Sequence, residues 1–285
     1  MTDGFLTTDP PGGRFAPGGI PASTPAVTFT SGGETLLGVL HRPAGEGPHP
    51  IVVLLHGFPG NERNFDLAQA LRRAGYASLV FHYRGSWGVG GCWSWANTLD
   101  DAARVVAAVR EGAMAAHHRL DPGRLAVVGH SAGGFAALMT AADDPAVRAV
   151  ASVSAFDFGA ASAAIAGDAA ARARYVEAWD GELLALRGTS GEALVAEMEA
   201  AGPAWRLADL APKLADRAVL LIGTSRDPVT PAEVYHRPLV DAYRAYPILR
   251  LEQQVFPADH ALSDHRVALT RTLVGFLDRH LRAAT

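Results

Sequence analysis

Leu125-Ala126-Val127-Val128-Gly129-His130-Ser131-Ala132-Gly133-Gly134-Phe135-Ala136-Ala137-Leu138-Met139 decides how the rest of the chain is read. The first part, Arg124–Val128, is dominated by an unbroken apolar run, as expected for a strand buried on both faces of a parallel sheet. The part over Ala132–Ala142 is small and apolar throughout and reads as a helix. Between them lies Gly129-x-Ser131-x-Gly133. A chain that passes from strand to helix in so few residues turns sharply. Positions two residues either side of the turn are then crowded and must be small, which Gly129 and Gly133 satisfy. The turn lifts Ser131 above the sheet edge, at a helix N-terminus that favours negative charge developing nearby.

Outward from this segment, strands and helices alternate. Val27–Leu40 alternates about a Ser31-Gly32-Gly33 turn and reads as a hairpin. Ile51–Leu55 and Tyr76–His82 are buried strands, separated by a helix over Asn61–Ala74 that stops at Gly75. A glycine-rich loop, Arg84–Gly91, precedes a helix over Thr98–Glu111, with Asp100 and Asp101 suited to the dipole of its first turn. Val147–Val153 is again a strand. Residues 156–206 break the rhythm with Ala-rich helical pieces and no strand, exceeding a strand–helix unit of about 30 residues. Alternation resumes with a strand at Ala218–Gly223, a helix from Ala232, a strand at Ile248–Val255 and a helix over Ser263–Leu281. The pattern predicts an α/β fold with a mostly parallel, doubly wound sheet. The expected organisation is a core of residues 26–155 and 207–285, a small helical cap insertion at 156–206, and a flexible Gly- and Pro-rich arm at 1–25.

Composition narrows the function classes. Of 285 residues, 49 % are hydrophobic and 19 % charged, enough apolar material for a sizeable core. The net charge of −4 offers no basic field for a phosphate backbone, so no nucleic-acid partner is expected. Cys92 is the lone cysteine, which excludes an internal disulfide and a Cys-rich zinc framework. The N-terminus has no basic and apolar signal regions, and no apolar run reaches the ~18 residues of a membrane span. A cytoplasmic protein with a small-molecule substrate is the resulting expectation.

The strand–Gly129-x-Ser131-x-Gly133–helix unit resembles the nucleophile elbow of the α/β-hydrolase superfamily, and the resemblance covers nearly all of the chain after residue 25. Two further segments, His56-Gly57-Phe58-Pro59-Gly60 and Phe81-His82-Tyr83-Arg84-Gly85-Ser86-Trp87-Gly88, resemble the catalytic domain of prolyl-oligopeptidase-like serine peptidases and their short esterase relatives. The resemblance implies an α/β-hydrolase fold and a Ser-His-Asp triad in the chain order Ser, Asp, His. It also implies an oxyanion hole from two backbone amides. One belongs to Ala132, the residue after the serine. The other comes from the loop after Leu55, and the resemblance assigns it to Phe58. His56 is expected to order that loop.

Asp227 lies just past the strand AVLLIG, at the edge where such a fold gathers its site. Thr230-Pro231 follows it, as in the family's G-x-x-D-x-x-x-P pattern. Asp157, past the preceding strand, is its rival. Among eleven histidines, His260 lies in the loop between the last strand and the last helix and fits the base. His265 is the runner-up. His130 should point away from the serine. His117 and His118 read as solvated residues in a polar connection, and His41, His49 and His236 have no motif around them. Phe156, Phe158, Trp179 and Trp205 of the cap, and Trp87, Trp93 and Trp95 near the glycine-rich loop, are candidates to face the substrate or to pack beneath the cap. Arg84 could bind a substrate carboxylate, as could Arg226, which reads better as a surface charge.

The expected activity is hydrolysis of a carboxylic ester through an acyl-enzyme on Ser131, His260 and Asp227, with no cofactor and no metal pattern. An aminopeptidase or acyl-peptide hydrolase acting on an amide, an acyltransferase, and a non-catalytic binding protein are the competing readings. The intact Ser131, Asp227 and His260 disfavour the last.

Overall fold

A computed structural model describes residues 19–282. Among these residues, eight strands form one sheet: β1 (Ala26–Ser31), β2 (Glu34–His41), β3 (His49–Leu55), β4 (Ala77–Phe81), β5 (Leu120–His130), β6 (Val147–Val153), β7 (Ala218–Thr224) and β8 (Arg250–Phe256). Their order is β1-β2-β4-β3-β5-β6-β7-β8. The hairpin β1–β2 and the β2–β4 pair are antiparallel, and every pairing from β4 through β8 is parallel. Strand β3 shows why its sequence reads as a continuous apolar run. Ile51, Val53 and Leu55 enter the core on one face of the sheet, while Val52 and Leu54 enter the core on the other. Period-two alternation persists, but both sets are buried.

Helices α1 (Phe65–Ala74), α2 (Trp95–Ala108), α3 (Gly112–His118) and α4 (Ala132–Asp143) precede the insertion. The insertion contains α5 (Phe158–Ile165), α6 (Ala169–Asp180) and α7 (Gly191–Ala201), with short 3₁₀ turns. Helices α8 (His236–Arg244) and α9 (Arg266–His280) complete the chain. Helices α1 and α9 share a core on one sheet face, through Leu67, Leu71, Leu269 and Leu273. Helices α2, α4 and α8 cover the other.

Several boundaries differ from the sequence expectations. Helix α1 begins at Phe65 because Asn64 adopts a left-handed φ of 61°, with its N–H donated to Glu62 at 2.6 Å. It stops at Gly75 in a left-handed conformation, as glycine there allows. Helix α2 begins at Trp95, capped by the Ser94 hydroxyl on the Asn97 N–H at 3.0 Å. Asp101 therefore lies beyond the first turn and instead takes Arg84 Nε at 2.6 Å in a buried ion pair. His117 and His118 end a helix rather than a polar connection, and His118 is buried.

Residues 1–18 of the expected arm lie outside the described residues. Residues 19–25 are held against the sheet. Ser23 bridges Arg42 through N–H···O bonds of 3.0 and 2.8 Å, and the Ile20 carbonyl accepts the Gly45 N–H at 2.9 Å. No helix among the described residues is long and apolar enough to cross a membrane.

Candidate active site

Ser131 sits between β5 and α4 with φ 59° and ψ −124°, a conformation that L residues rarely adopt. The surrounding backbone imposes it. Ser131 N–H donates to the Val153 carbonyl at 2.9 Å, and its own carbonyl accepts the N–H of Gly134 at 2.8 Å. A Cβ at Gly129 would collide with the Gly133 carbonyl, and one at Gly133 with the Leu55 carbonyl. The two glycines thus let the turn close and let the end of β3 approach it.

The loop after β3 lies against the serine. A Cβ at Gly57 would stand 2.9 Å from the Ser131 Cβ, so only glycine fits. Phe58 and Ala132 border the same cavity as Ser131. Ala132 is the first residue of α4, and its N–H has no intrahelical partner. His56 is buried at the root of this loop. Its Nδ1–H donates to the Gly57 carbonyl at 2.8 Å, and the Tyr83 hydroxyl donates to the His56 carbonyl at 3.2 Å. Burial pushes its pKa down to about 3, so the ring is neutral. Trp87 Nε1–H closes the brace on the Pro59 carbonyl at 2.9 Å.

Asp227 and His260 meet across the ends of β7 and β8. His260 Nδ1 lies 2.7 Å from Asp227 Oδ2. An ionised carboxylate only accepts, so Nδ1–H is the group that faces Asp227, and in the neutral ring the lone pair lies on Nε2. The same Oδ2 accepts the hydroxyls of Thr224 at 2.8 Å and Thr230 at 2.7 Å. Oδ1 accepts the N–H groups of Val229 and Thr230 at 2.8 and 2.9 Å. Burial alone would raise the Asp227 pKa. The hydrogen bond from His260, its charge when the ring is protonated, and the Thr230 donors outweigh it and hold the carboxyl well below the usual carboxylate range. His130 turns aside, donating Nε2–H to the His260 carbonyl at 2.7 Å. Burial pushes it to about 3, and it too is neutral.

Ser131 and His260 open into one cavity of about 680 Å³. Its walls are aromatic: Phe58 and Trp95 from the core side, and Phe156, Phe158, Tyr175 and Trp179 from the insertion. These rings pack on one another, with Trp179 5.2 Å from Trp95 and Phe58 5.3 Å from Trp95. The charged residues that border it, Glu62, Glu182 and Asp259, are all acidic.

The remaining candidates fall elsewhere. Trp205 packs on Phe135 and Phe158 at 5.6 and 5.9 Å, behind the cavity wall. Trp87 borders a neighbouring cavity instead. Asp157 caps α5, accepting the Ala160 N–H at 2.9 Å, and also holds the Leu207 N–H at 3.1 Å. His265 packs on Phe256 at 6.0 Å. Arg84 is committed to Asp101, and Arg226 is exposed and does not line the cavity. Cys92 is exposed, with its carbonyl on the Asn97 amide.

Sequence reasoning missed the roles of four residues. Thr224 and Thr230 present hydroxyls to Asp227, and a Thr three residues after an Asp was a legible turn signal. Tyr175 reaches the cavity, and nothing in its flanks marks it. Glu197 of α7 fastens the insertion: its two carboxylate oxygens accept the N–H groups of Trp95 and Ala96 at 2.8 and 2.7 Å. Among the described residues, no group of three or more His, Cys, Asp or Glu is arranged to hold a metal.

Residues 50–219 match the family described as the alpha/beta hydrolase fold, and the chain belongs to that family. Solved structures of similar fold include an esterase of Pyrococcus furiosus, with 15 % identity, TM-score 0.65 and 92 % of each chain covered. Est1E from Butyrivibrio proteoclasticus with ferulic acid bound is similar at 20 % identity and TM-score 0.66, covering 90 % of this chain and 99 % of that one. The alpha/beta hydrolase GrgF from a Penicillium species is similar at 19 % identity and TM-score 0.65, covering 91 % and 99 %. A comparison with curated protein sequences gives no match.

Proposed function

We propose that this chain is a serine hydrolase that cleaves carboxylic esters of small molecules through an acyl-enzyme. The observation that carries the reading is the 2.7 Å contact of His260 Nδ1 with Asp227, on a histidine that borders one cavity with the positive-φ Ser131. In this reading, His260 Nε2 takes the Ser131 hydroxyl proton as Oγ attacks the ester carbon. The Phe58 and Ala132 amides hold the negative charge that forms on the carbonyl oxygen. His260 then gives its proton to the departing alkoxide, leaving an acyl-serine and the free alcohol. Water, deprotonated by the same nitrogen, releases the acid and restores Ser131. Asp227 fixes the tautomer throughout. The aromatic cavity, capped by the insertion at 156–206, favours an apolar or aromatic substituent.

A second reading, an aminopeptidase, has one observation in its favour. The charged residues bordering the cavity are acidic, which suits a substrate ammonium group. One panel separates the two: 4-nitrophenyl esters from acetate to decanoate beside aminoacyl and N-acyl-aminoacyl 4-nitroanilides, with wild type and Ser131→Ala. Ester turnover that falls by about 10⁴-fold or more in the variant, without anilide cleavage, supports the esterase. Efficient anilide cleavage selects the peptidase. Activity that survives in Ser131→Ala removes the assignment of the nucleophile.

A further inference from the structure

A second cavity of about 470 Å³ adjoins the first, and the two share Pro59, Asn61 and Glu182 as common walls. Phe58 and Trp95 line the first cavity and not the second. Trp87, Leu184 and Leu186 supply apolar surface to the second, beside a comparable share of polar surface. Its two charged residues, Glu182 and Arg187, have opposite signs, so the lobe carries no net charge.

Two features set this lobe apart from an incidental surface dip. The first is the fixing of its walls. Trp87 has a φ of 49°, uncommon for a bulky residue. It is held there by its N–H on the Ala185 carbonyl at 3.0 Å and its indole N–H on Pro59. Arg63 stacks on the ring at 4.6 Å. The same segment continues as a short ladder: Ser86 bridges Leu186, and the Arg187 N–H donates to the Gly85 carbonyl at 2.9 Å. The second feature is Leu184. It is 102 % exposed, a large apolar side chain that touches almost nothing and stands at the lobe's edge.

We propose that the cleft is bipartite, and that this second lobe binds the uncharged, apolar end of an extended ester, remote from the reacting carbonyl. The proposal rests on the hydrolase reading above. The aromatic lobe beside Ser131 holds the group next to the carbonyl. The far end of a long substituent passes Pro59 and Asn61, lies on Trp87, and covers Leu184. The opposed charges of Glu182 and Arg187 give an ion at that end no net attraction.

The test uses two matched series. One is 4-nitrophenyl acetate against 4-nitrophenyl decanoate, which lengthens the acyl group. The other is ethyl acetate against octyl acetate, which lengthens the alcohol. Wild type, Leu184→Ser and Leu184→Met are compared, a site whose full exposure makes misfolding a minor concern. In one series, kcat/KM of the long member falls about tenfold in Leu184→Ser, equivalent to about 1.4 kcal/mol, through a raised KM. The short member is unchanged, and Leu184→Met retains the preference. A long-to-short ratio that Leu184→Ser leaves unmoved in both series, with Ser131-dependent turnover of 4-nitrophenyl acetate intact, overturns the subsite alone. Absence of both turnover and fluorophosphonate labelling of Ser131 overturns the hydrolase reading and the subsite with it.

Discussion

Helix α4, after Ser131, and helix α6, in the insertion, are both 12 residues long. In α4, every residue from Ala132 to Leu138 is buried, whereas in α6 none is. The first is locked by backbone: Gly129, Gly133 and the Leu55 carbonyl leave no space for an alternative path. The second is positioned by side chains. Tyr175 and Trp179 meet the aromatic wall, Asp168 caps the first turn, and Arg172 pairs with Glu192 and Glu199 at the surface. Exposed ion pairs of that kind add little. Ser131, the nucleophile of the proposed mechanism, therefore stands at the head of the tightly enclosed helix, and the walls that would select a substrate stand on the part held by fewer constraints.

That contrast makes graded predictions. Asp227→Asn should have the largest effect: about a 10⁴-fold loss of kcat, equal for every ester, because the amide lets His260 adopt the wrong tautomer. Single-turnover kinetics across the ester panel check it, and an unequal loss among esters would break the division between chemistry and selection.

Trp179→Ala should act on selection only. It removes one wall of the aromatic cavity, so KM for bulky esters should rise about tenfold while kcat for 4-nitrophenyl acetate stays unchanged. A uniform loss of kcat would mean that the insertion also positions the reacting groups.

Glu197→Gln tests how the insertion is fastened. The carboxylate sits on two free N–H groups at the start of α2, a charge-assisted cap. Neutralising it should cost about 1 kcal/mol, a fall in Tm of about 2 to 4 °C by differential scanning calorimetry.

The smallest effect is a pH dependence in the core. Burial, with Arg72 nearby, lowers the His41 pKa from 6.5 to about 4, and among the described residues neither ring nitrogen has a hydrogen-bond partner. Below pH 6.5 the unfolded chain binds a proton that folded His41 refuses until about pH 4. Stability is thus lost as pH falls through that window. His41→Leu should shrink the drop in unfolding free energy between pH 7 and pH 5 by about 1 kcal/mol, read from urea midpoints. His56, His82 and His130 are depressed in the same direction and retain part of the slope.

Much of the frame was legible because it is written in local pattern. The unbroken apolar run of β3, the Gly75 stop of α1 and the small residues about Ser131 each state a local requirement that few residue types meet. The misreadings share one cause. Asp100 and Asp101 looked like first-turn acids of a helix because the sequence does not say that Ser94 starts it. Arg84 looked available for a substrate because its partner, Asp101, is seventeen positions away. Trp205 and Trp179 look alike in sequence, yet one lies behind the wall and the other forms it.

The sequence by itself determined the strand–turn–helix that holds Ser131 and the chain order in which Asp227 and His260 follow it. Steric demands of a tight turn and burial on two sheet faces act over a few residues and leave a local signature. Only the tertiary structure decided that Asp227 and His260 touch, that Thr224 and Thr230 complete the carboxylate's partners, and which aromatic rings line the cavity. Those facts depend on where distant strand ends and the insertion come to rest, and side-chain contacts across such separations leave no periodic trace in the chain.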